Sequence, residues 1–216
     1  MSNNPQRSSG ELYLIAAPSG AGKTSLMRGL LERLPRLALS VSDTTRPARR
    51  GEVDGEQYHF VDVAEFRRGI EAGDYLEFAE VYGNFYGTRR DRVEALWEQG
   101  RDVLLEIDVQ GARQVRERFP GLCSMFILPP SMTILAERLR GRGSDSAEVI
   151  ERRLGEARAE LEACGDFRWM VVNDDFDQAL DELTAIVRVW PLRRARQKKH
   201  VIRLLDENPA HGTIGD

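Results

Sequence analysis

The stretch Ala17-Pro18-Ser19-Gly20-Ala21-Gly22-Lys23-Thr24 constrains this chain more than any other. It follows a short apolar run, Leu12-Tyr13-Leu14-Ile15-Ala16-Ala17, and precedes leucines at positions 26, 30, 31 and 34. The run is continuous and stops at glycines, which reads as a buried strand, and the leucine spacing reads as a helix. Glycines at such a junction let the backbone wrap until several N–H groups converge, and the helix N-terminus adds partial positive charge there. The result is a cradle for phosphate oxygens. In the pattern G-x-x-x-x-G-K-[ST], the lysine reaches the β- and γ-phosphates of a nucleoside triphosphate and the hydroxyl faces its Mg²⁺. Those residues are here Lys23 and Thr24. Ala17 stands in place of the first glycine, a position that the last residue of a strand can fill.

The rest of the chain repeats the strand–helix alternation. Val103 to Asp108, Cys123 to Leu128 (stopped by Pro129-Pro130) and Trp169 to Val172 are continuous apolar runs, as in parallel strands covered on both faces. Ile150, Leu154, Ala157 and Leu161 mark one helix, and a broad stripe from Phe176 to Trp190 marks another. This alternation predicts an α/β, doubly wound core. Residues 46 to 90 differ. Tyr58-His59-Phe60-Val61, Leu76 to Tyr82 and Phe85-Tyr86-Gly87 read as half-buried strands, with a helix over 63–72 and a hairpin at Gly83-Asn84. The expected organisation is a core of 10–45 and 89–206, an inserted mixed α+β unit at 46–88, and an arginine-rich lid at 140–153 within the core. Residues 1–9 and 207–216 are polar and aperiodic, and are expected to be disordered.

Composition removes several classes. With 216 residues, 41% of them apolar, and a net charge of −4, the chain can bury a core without staples and is not a disordered polymer. Cys123 and Cys164 do not make a disulfide framework or a zinc spacing, and His59, His200 and His211 do not share one either. No run is long enough to cross a bilayer, and the start lacks a signal peptide's apolar stretch, so a cytoplasmic protein is expected. The slight acidity offers no field for nucleic acid or membrane, and neither is expected as a partner. The pattern does not encode an oligomeric state. The basic run Arg193 to Lys199 reads as the solvated C-terminal end of the last helix, where cations are favourable.

A second anionic ligand is suggested by Arg46, Arg49 and Arg50 in the Pro- and Gly-containing loop between Ser40 and Tyr58. Guanidinium groups bind phosphate bidentately; the alternative is a solvated basic loop. Ser42 to Tyr58, Leu76-Glu77-Phe78, Tyr82 to Gly87, Glu106 to Gly111, Pro129-Pro130-Ser131, Arg138 to Gly143 and Val172 to Asp175 occur in a family-specific order and spacing. Over about residues 10–195 the chain closely resembles the guanylate kinases.

The resemblance implies a P-loop nucleoside monophosphate kinase fold: a parallel five-stranded core sheet flanked by helices, a small inserted GMP-binding unit and a short arginine-rich lid. It implies transfer of phosphate from ATP, with Mg²⁺, to GMP, yielding ADP and GDP in purine nucleotide metabolism and GMP recycling. Carried over by position, Arg46, Arg49, Tyr58 and Tyr86 hold the GMP phosphate. Ser42, Glu77, Thr88 and Asp108 meet the guanine. Ala17, Pro18, Ser19, Gly20, Ala21, Gly22, Lys23 and Thr24 cradle ATP, with Thr24 on the metal partly through water, and Asn173 lines the ATP base site. Lys23, Arg138, Arg142 and Arg153 neutralise the transferring group. Arg152, about 100° round the helix from Arg153, reads as solvated.

Guanine offers N1–H and N2–H₂ as donors and a carboxylate only accepts, so an acid at Glu77 suits guanine and rejects adenine. Apart from the resemblance, Glu77 would be a solvent-face strand residue, Asp108 a helix cap, and Asn173-Asp174-Asp175 the cap of the last helix. Phe85 and Glu106 depart from the family, which often has tyrosine and aspartate there. The longer Glu106 side chain bears on whether it helps Asp108 to organise metal-bound water.

Overall fold

The computed structural model describes residues 10–81, 83–141 and 146–206. The expected disordered ends at 1–9 and 207–216, together with Tyr82 and Arg142, lie outside the described residues. In chain order the elements are β1 Leu12–Ala16, α1 Lys23–Arg33, β2 Leu37–Ser40, β3 Asp43–Thr44, β4 His59–Phe60, α2 Val63–Ala72, β5 Tyr75–Val81 and β6 Asn84–Arg89. Then follow α3 Arg90–Glu98, β7 Asp102–Glu106, α4 Val109–Arg118, β8 Cys123–Leu128, α5 Met132–Arg140, α6 Ala147–Glu162, β9 Trp169–Val172, α7 Phe176–Val189 and α8 Arg194–Asp206.

A parallel five-stranded sheet, in the order β2-β7-β1-β8-β9, forms the core. β1 is central and wholly buried, and the strand period of two divides its side chains between layers. Tyr13 and Ile15 pack with Leu26 and Leu30 of α1 and Leu180 and Leu183 of α7. Leu12, Leu14 and Ala16 pack with Val93 of α3 and with Ala112 and Val115 of α4. This two-sided burial is why the strand reads as unbroken apolar sequence.

Two expectations change. β9 is not covered on both faces: it is an outermost strand, and Trp169, Met170 and Val172 are 41%, 46% and 49% exposed. The basic run does not end the last helix. A 3-10 turn at Trp190–Leu192 containing Pro191 follows α7, and α8 starts at Arg194, so these cations open a new helix. Proline lacks the N–H that would continue α7. Arg193 and Arg196 instead reach the buried Glu11 carboxylate, at 3.1 and 2.7 Å.

A second, four-stranded sheet has the order β4-β3-β6-β5, with β5 and β6 forming a hairpin whose last pair is Val81 and Asn84. Gly83 in that turn has φ 74°, a conformation that favours glycine. Asp62 caps α2 by accepting from the Glu65 N–H, and α2 places Phe66 between the rings of Tyr75 and Phe85, at 4.4 and 5.4 Å. Phe85, the departure noted above, is therefore a packing residue of this small apolar layer. Asp43 ties the unit to the core: its carboxylate accepts from Tyr75 Oη at 2.8 Å and pairs with Arg92 of α3.

Candidate active site

A cleft of about 420 Å³ is lined by the glycine loop on one side and by the four-stranded sheet on the other. On the loop side, Gly20 and Gly22 have φ 94° and 93°, so the backbone turns back on itself before α1 begins at Lys23. Asn173, at the end of β9, braces the loop: its Nδ2 donates to the Ala21 carbonyl at 2.7 Å. The Asn173 carbonyl accepts from Arg138 Nη2 at 3.1 Å, while Arg138 Nη1 is buried with no hydrogen-bond partner among the described residues. Arg153 Nη2 donates to Ser19 Oγ at 2.5 Å. Lys23 Nζ lies 3.3 Å from Glu106 Oε1, so the longer acid at 106 reaches the loop lysine.

On the opposite side, Glu77 is 3% exposed, and Thr88 Oγ1 donates to its Oε1 at 2.6 Å. Burial pushes the Glu77 carboxyl up to about 7; Thr88 opposes that shift and the neighbouring Asp108 charge adds to it. Asp108 caps α4, its Oδ1 accepting from the Gly111 N–H at 2.8 Å, and it also lines the cleft. Tyr58 and Tyr86 meet edge to face at 5.7 Å, and burial raises the Tyr58 hydroxyl to about 12, keeping it a neutral donor. Arg46 Nη2 donates to both carboxylate oxygens of Glu52, at 2.8 and 3.0 Å, and Glu52 also accepts from the Arg49 N–H at 2.7 Å. That hydrogen bond from Arg46 keeps the Glu52 carboxyl below its ordinary value.

Of the residues singled out in the sequence, the cleft brings together Ala17, Pro18, Ser19, Gly20, Gly22, Lys23, Thr24, Ser42, Arg49, Tyr58, Glu77, Tyr86 and Asp108. Ala21, Arg46, Thr88, Arg138, Arg153 and Asn173 contact those residues or their neighbours without lining the cavity themselves. Glu160 was missed. It lies on α6 and lines the cleft, and burial raises its carboxyl to about 7 against the opposing pull of Lys23. Its signal was spacing: seven residues after Arg153 is two turns on the same helix face.

Among the described residues no cluster of three or more His, Cys, Asp or Glu could hold a metal alone. Thr24, Glu106 and Asp108 nevertheless supply oxygen donors to one cavity. That set fits a hard cation that arrives on phosphate and keeps several waters.

The family model for guanylate kinase matches residues 9–189. The guanylate kinase of Chromobacterium violaceum is 51% identical over 206 residues, 95% of this chain and 97% of that protein. That of Alkalilimnicola ehrlichii is 54% identical over 189 residues, 88% of this chain and 93% of that protein. The crystal structure of guanylate kinase from Anaplasma phagocytophilum superposes with a TM-score of 0.76 at 32% identity, covering 95% of this chain and 98% of its own. A glycine loop facing a buried carboxylate across one cleft, and this agreement along nearly the whole chain, lead to one conclusion: the chain belongs to the guanylate kinase family.

Proposed function

We propose that this cleft is where the chain, an ATP-dependent GMP kinase, carries out ATP + GMP = ADP + GDP, with ATP on the glycine loop and GMP on the four-stranded sheet. The observation that carries this division of labour is the buried Glu77–Thr88 pair facing Lys23 and the loop across one cavity. The unit at 46–88 and two residues of the core hold GMP: Glu77 and Thr88 with Ser42 and Asp108 of the core at the base, and Arg46, Arg49, Tyr58 and Tyr86 at the phosphate. Residues 17–24 hold the ATP phosphates, and Asn173 supports the loop beside the ATP base. The segment 140–153, with Arg138 before it, supplies cations to the transferring group. Substrates are small molecules met in the cytoplasm, without nucleic acid or membrane partners. Among the described residues no helix is long and apolar enough to cross a membrane.

The acceptor is a phosphate oxygen that is already anionic, so the reaction does not need a general base. Catalysis comes from positioning and from neutralising charge as it spreads over the transferring group. Lys23, released from Glu106, meets the β- and γ-phosphates, and Arg138 and Arg153 approach the same oxygens. Thr24, with Asp108 acting through water, would hold Mg²⁺ on the ATP phosphates, where it would supply Lewis-acid neutralisation when bound. Arg46 exchanges one anionic partner for another, the Glu52 carboxylate for the GMP phosphate. ADP release measured across the nucleoside monophosphates tests the reading: GMP should exceed AMP, CMP and UMP by ~10²-fold or more in kcat/KM. Comparable turnover of AMP would overturn the base assignment.

The Glu77 shift predicts a pH dependence. Only the ionised carboxylate accepts from both N1–H and N2–H₂, and the free enzyme's Glu77 ionises at about 7. kcat/KM for GMP should therefore rise with pH through that value and, well below it, fall toward tenfold per pH unit. Titration of the GMP phosphate, near ~6, adds a second limb. The limb at about 7 should be missing in Glu77→Gln and the phosphate limb retained.

A further inference from the structure

One face of α4 grips the strand that carries Glu77. Gln114 Nε2 donates to the Phe78 carbonyl at 2.7 Å, and its Oε1 accepts from the Phe78 N–H at 3.3 Å. Arg118 Nη1, one turn on, donates to the Tyr75 carbonyl at 2.9 Å. Gly111, one turn back, lies so close to Glu77 that a methyl group there would overlap its Oε2. Positions 111, 114 and 118 are separated by three and four residues, so they share one helical face.

β5 is an outermost strand of its sheet, and its pairing with β6 shifts register between Tyr75 and Glu77. An edge strand presents unpaired N–H and C=O groups that must be met by something. A glutamine amide carries one donor and one acceptor side, like a peptide group, so Gln114 stands in for the missing neighbouring strand at Phe78. The same helix begins at its cap, Asp108, the second carboxylate of the proposed base site. α4 thus spans both halves of that site, owning one carboxylate and bracketing the strand that bears the other.

We infer that Gln114 and Arg118 are positioning residues for guanine specificity: they hold β5 against α4 so that Glu77 stands at a set separation from Asp108. This rests on the reading of Glu77 as the guanine acceptor. A carboxylate that must meet N1–H and N2–H₂ together tolerates only about 0.5 Å of displacement. Loosening β5 should therefore cost the ligand that uses both donors more than one that uses only N1–H. IMP, which lacks the N2 amine, is that comparison.

The test measures kcat/KM for GMP and for IMP, KM for ATP, and thermal melting, in Gln114→Ala and Gln114→Met. The methionine variant keeps the side-chain volume, and it decides the outcome if the alanine variant does not fold. In the folded variants the GMP-over-IMP preference should narrow by about 10-fold, with KM for ATP within about twofold, because the displacement is confined to the base site. Arg113→Ala and Glu117→Ala remove an exposed pair on α4 and should leave the preference unchanged. A folded Gln114→Met with the wild-type preference, or with equal losses toward GMP and IMP, overturns the inference. Glu77→Gln in the same assay separates the two levels. If it erases the preference while the Gln114 variants keep it, only the positioning role fails; if it too keeps the preference, the base reading fails and the inference goes with it.

Discussion

Glu77→Gln should lower kcat/KM for GMP by ~10²-fold or more, a loss set by a charge-assisted hydrogen bond of about 1.5–3 kcal/mol together with misorientation of the base. The surroundings make this substitution severe. Thr88 Oγ1 already donates to Glu77 Oε1, so a glutamine that keeps its oxygen there turns its NH₂ toward guanine, donor against donor. Turning the amide over lets the Thr88 hydroxyl accept from the NH₂ instead, but it leaves guanine one neutral amide oxygen in place of a carboxylate. Because the site is 3% exposed, water does not readily relieve either arrangement. KM for ATP should hardly change.

Stability should move the other way. The folded carboxyl, raised to about 7, keeps its proton above the pH at which the unfolded chain's carboxyl ionises, so ionisation of Glu77 disfavours the fold as pH rises. Glutamine removes that penalty, and its melting temperature at pH 8 should not fall below that of the parent. Glu80→Gln is the control: Glu80 is exposed, on the opposite face of β5, and should be near neutral in both assays. Damage from Glu80→Gln with silence from Glu77→Gln would remove the guanine-reading assignment.

Lys23→Ala should reduce turnover by at least ~10²-fold, the scale of losing one preorganised charge donor at the transferring group. The fold should barely respond. In the free enzyme Lys23 pairs with Glu106 at 3.3 Å, with the side chains 22% and 30% exposed. The pair is part-buried but both groups still reach water in the open cleft, so it contributes about 1 kcal/mol at most. For a chain of this size that corresponds to a melting shift of no more than about 4 °C. Steady-state kinetics and melting on one sample separate the two effects, and near-normal turnover would defeat the assignment of the phosphate loop.

Much of this site was legible because its signals are local. The turn from β1 into α1 needs glycines where φ is positive, and Gly20 and Gly22 stand there. Asp108 was open between a cap and a ligand, and it caps α4 while also lining the cleft. β2 was not singled out as a run, because Leu37-Ala38-Leu39-Ser40 holds no β-branched or aromatic residue. The role of the basic run at 193–199 is not local: the partner of Arg193, Glu11, lies 182 residues away along the chain.

The sequence alone determined the fold class and the family, because strand period, helix period and turn chemistry act between neighbours along the chain. Only the tertiary structure decided how those parts are held. Asn173 braces Ala21 across 152 residues, and Gln114 brackets Phe78 across 36. Burial among side chains from distant segments is also what lifts Glu77 and Glu160 to about 7, for a carboxyl's charge is governed by whatever the fold packs around it.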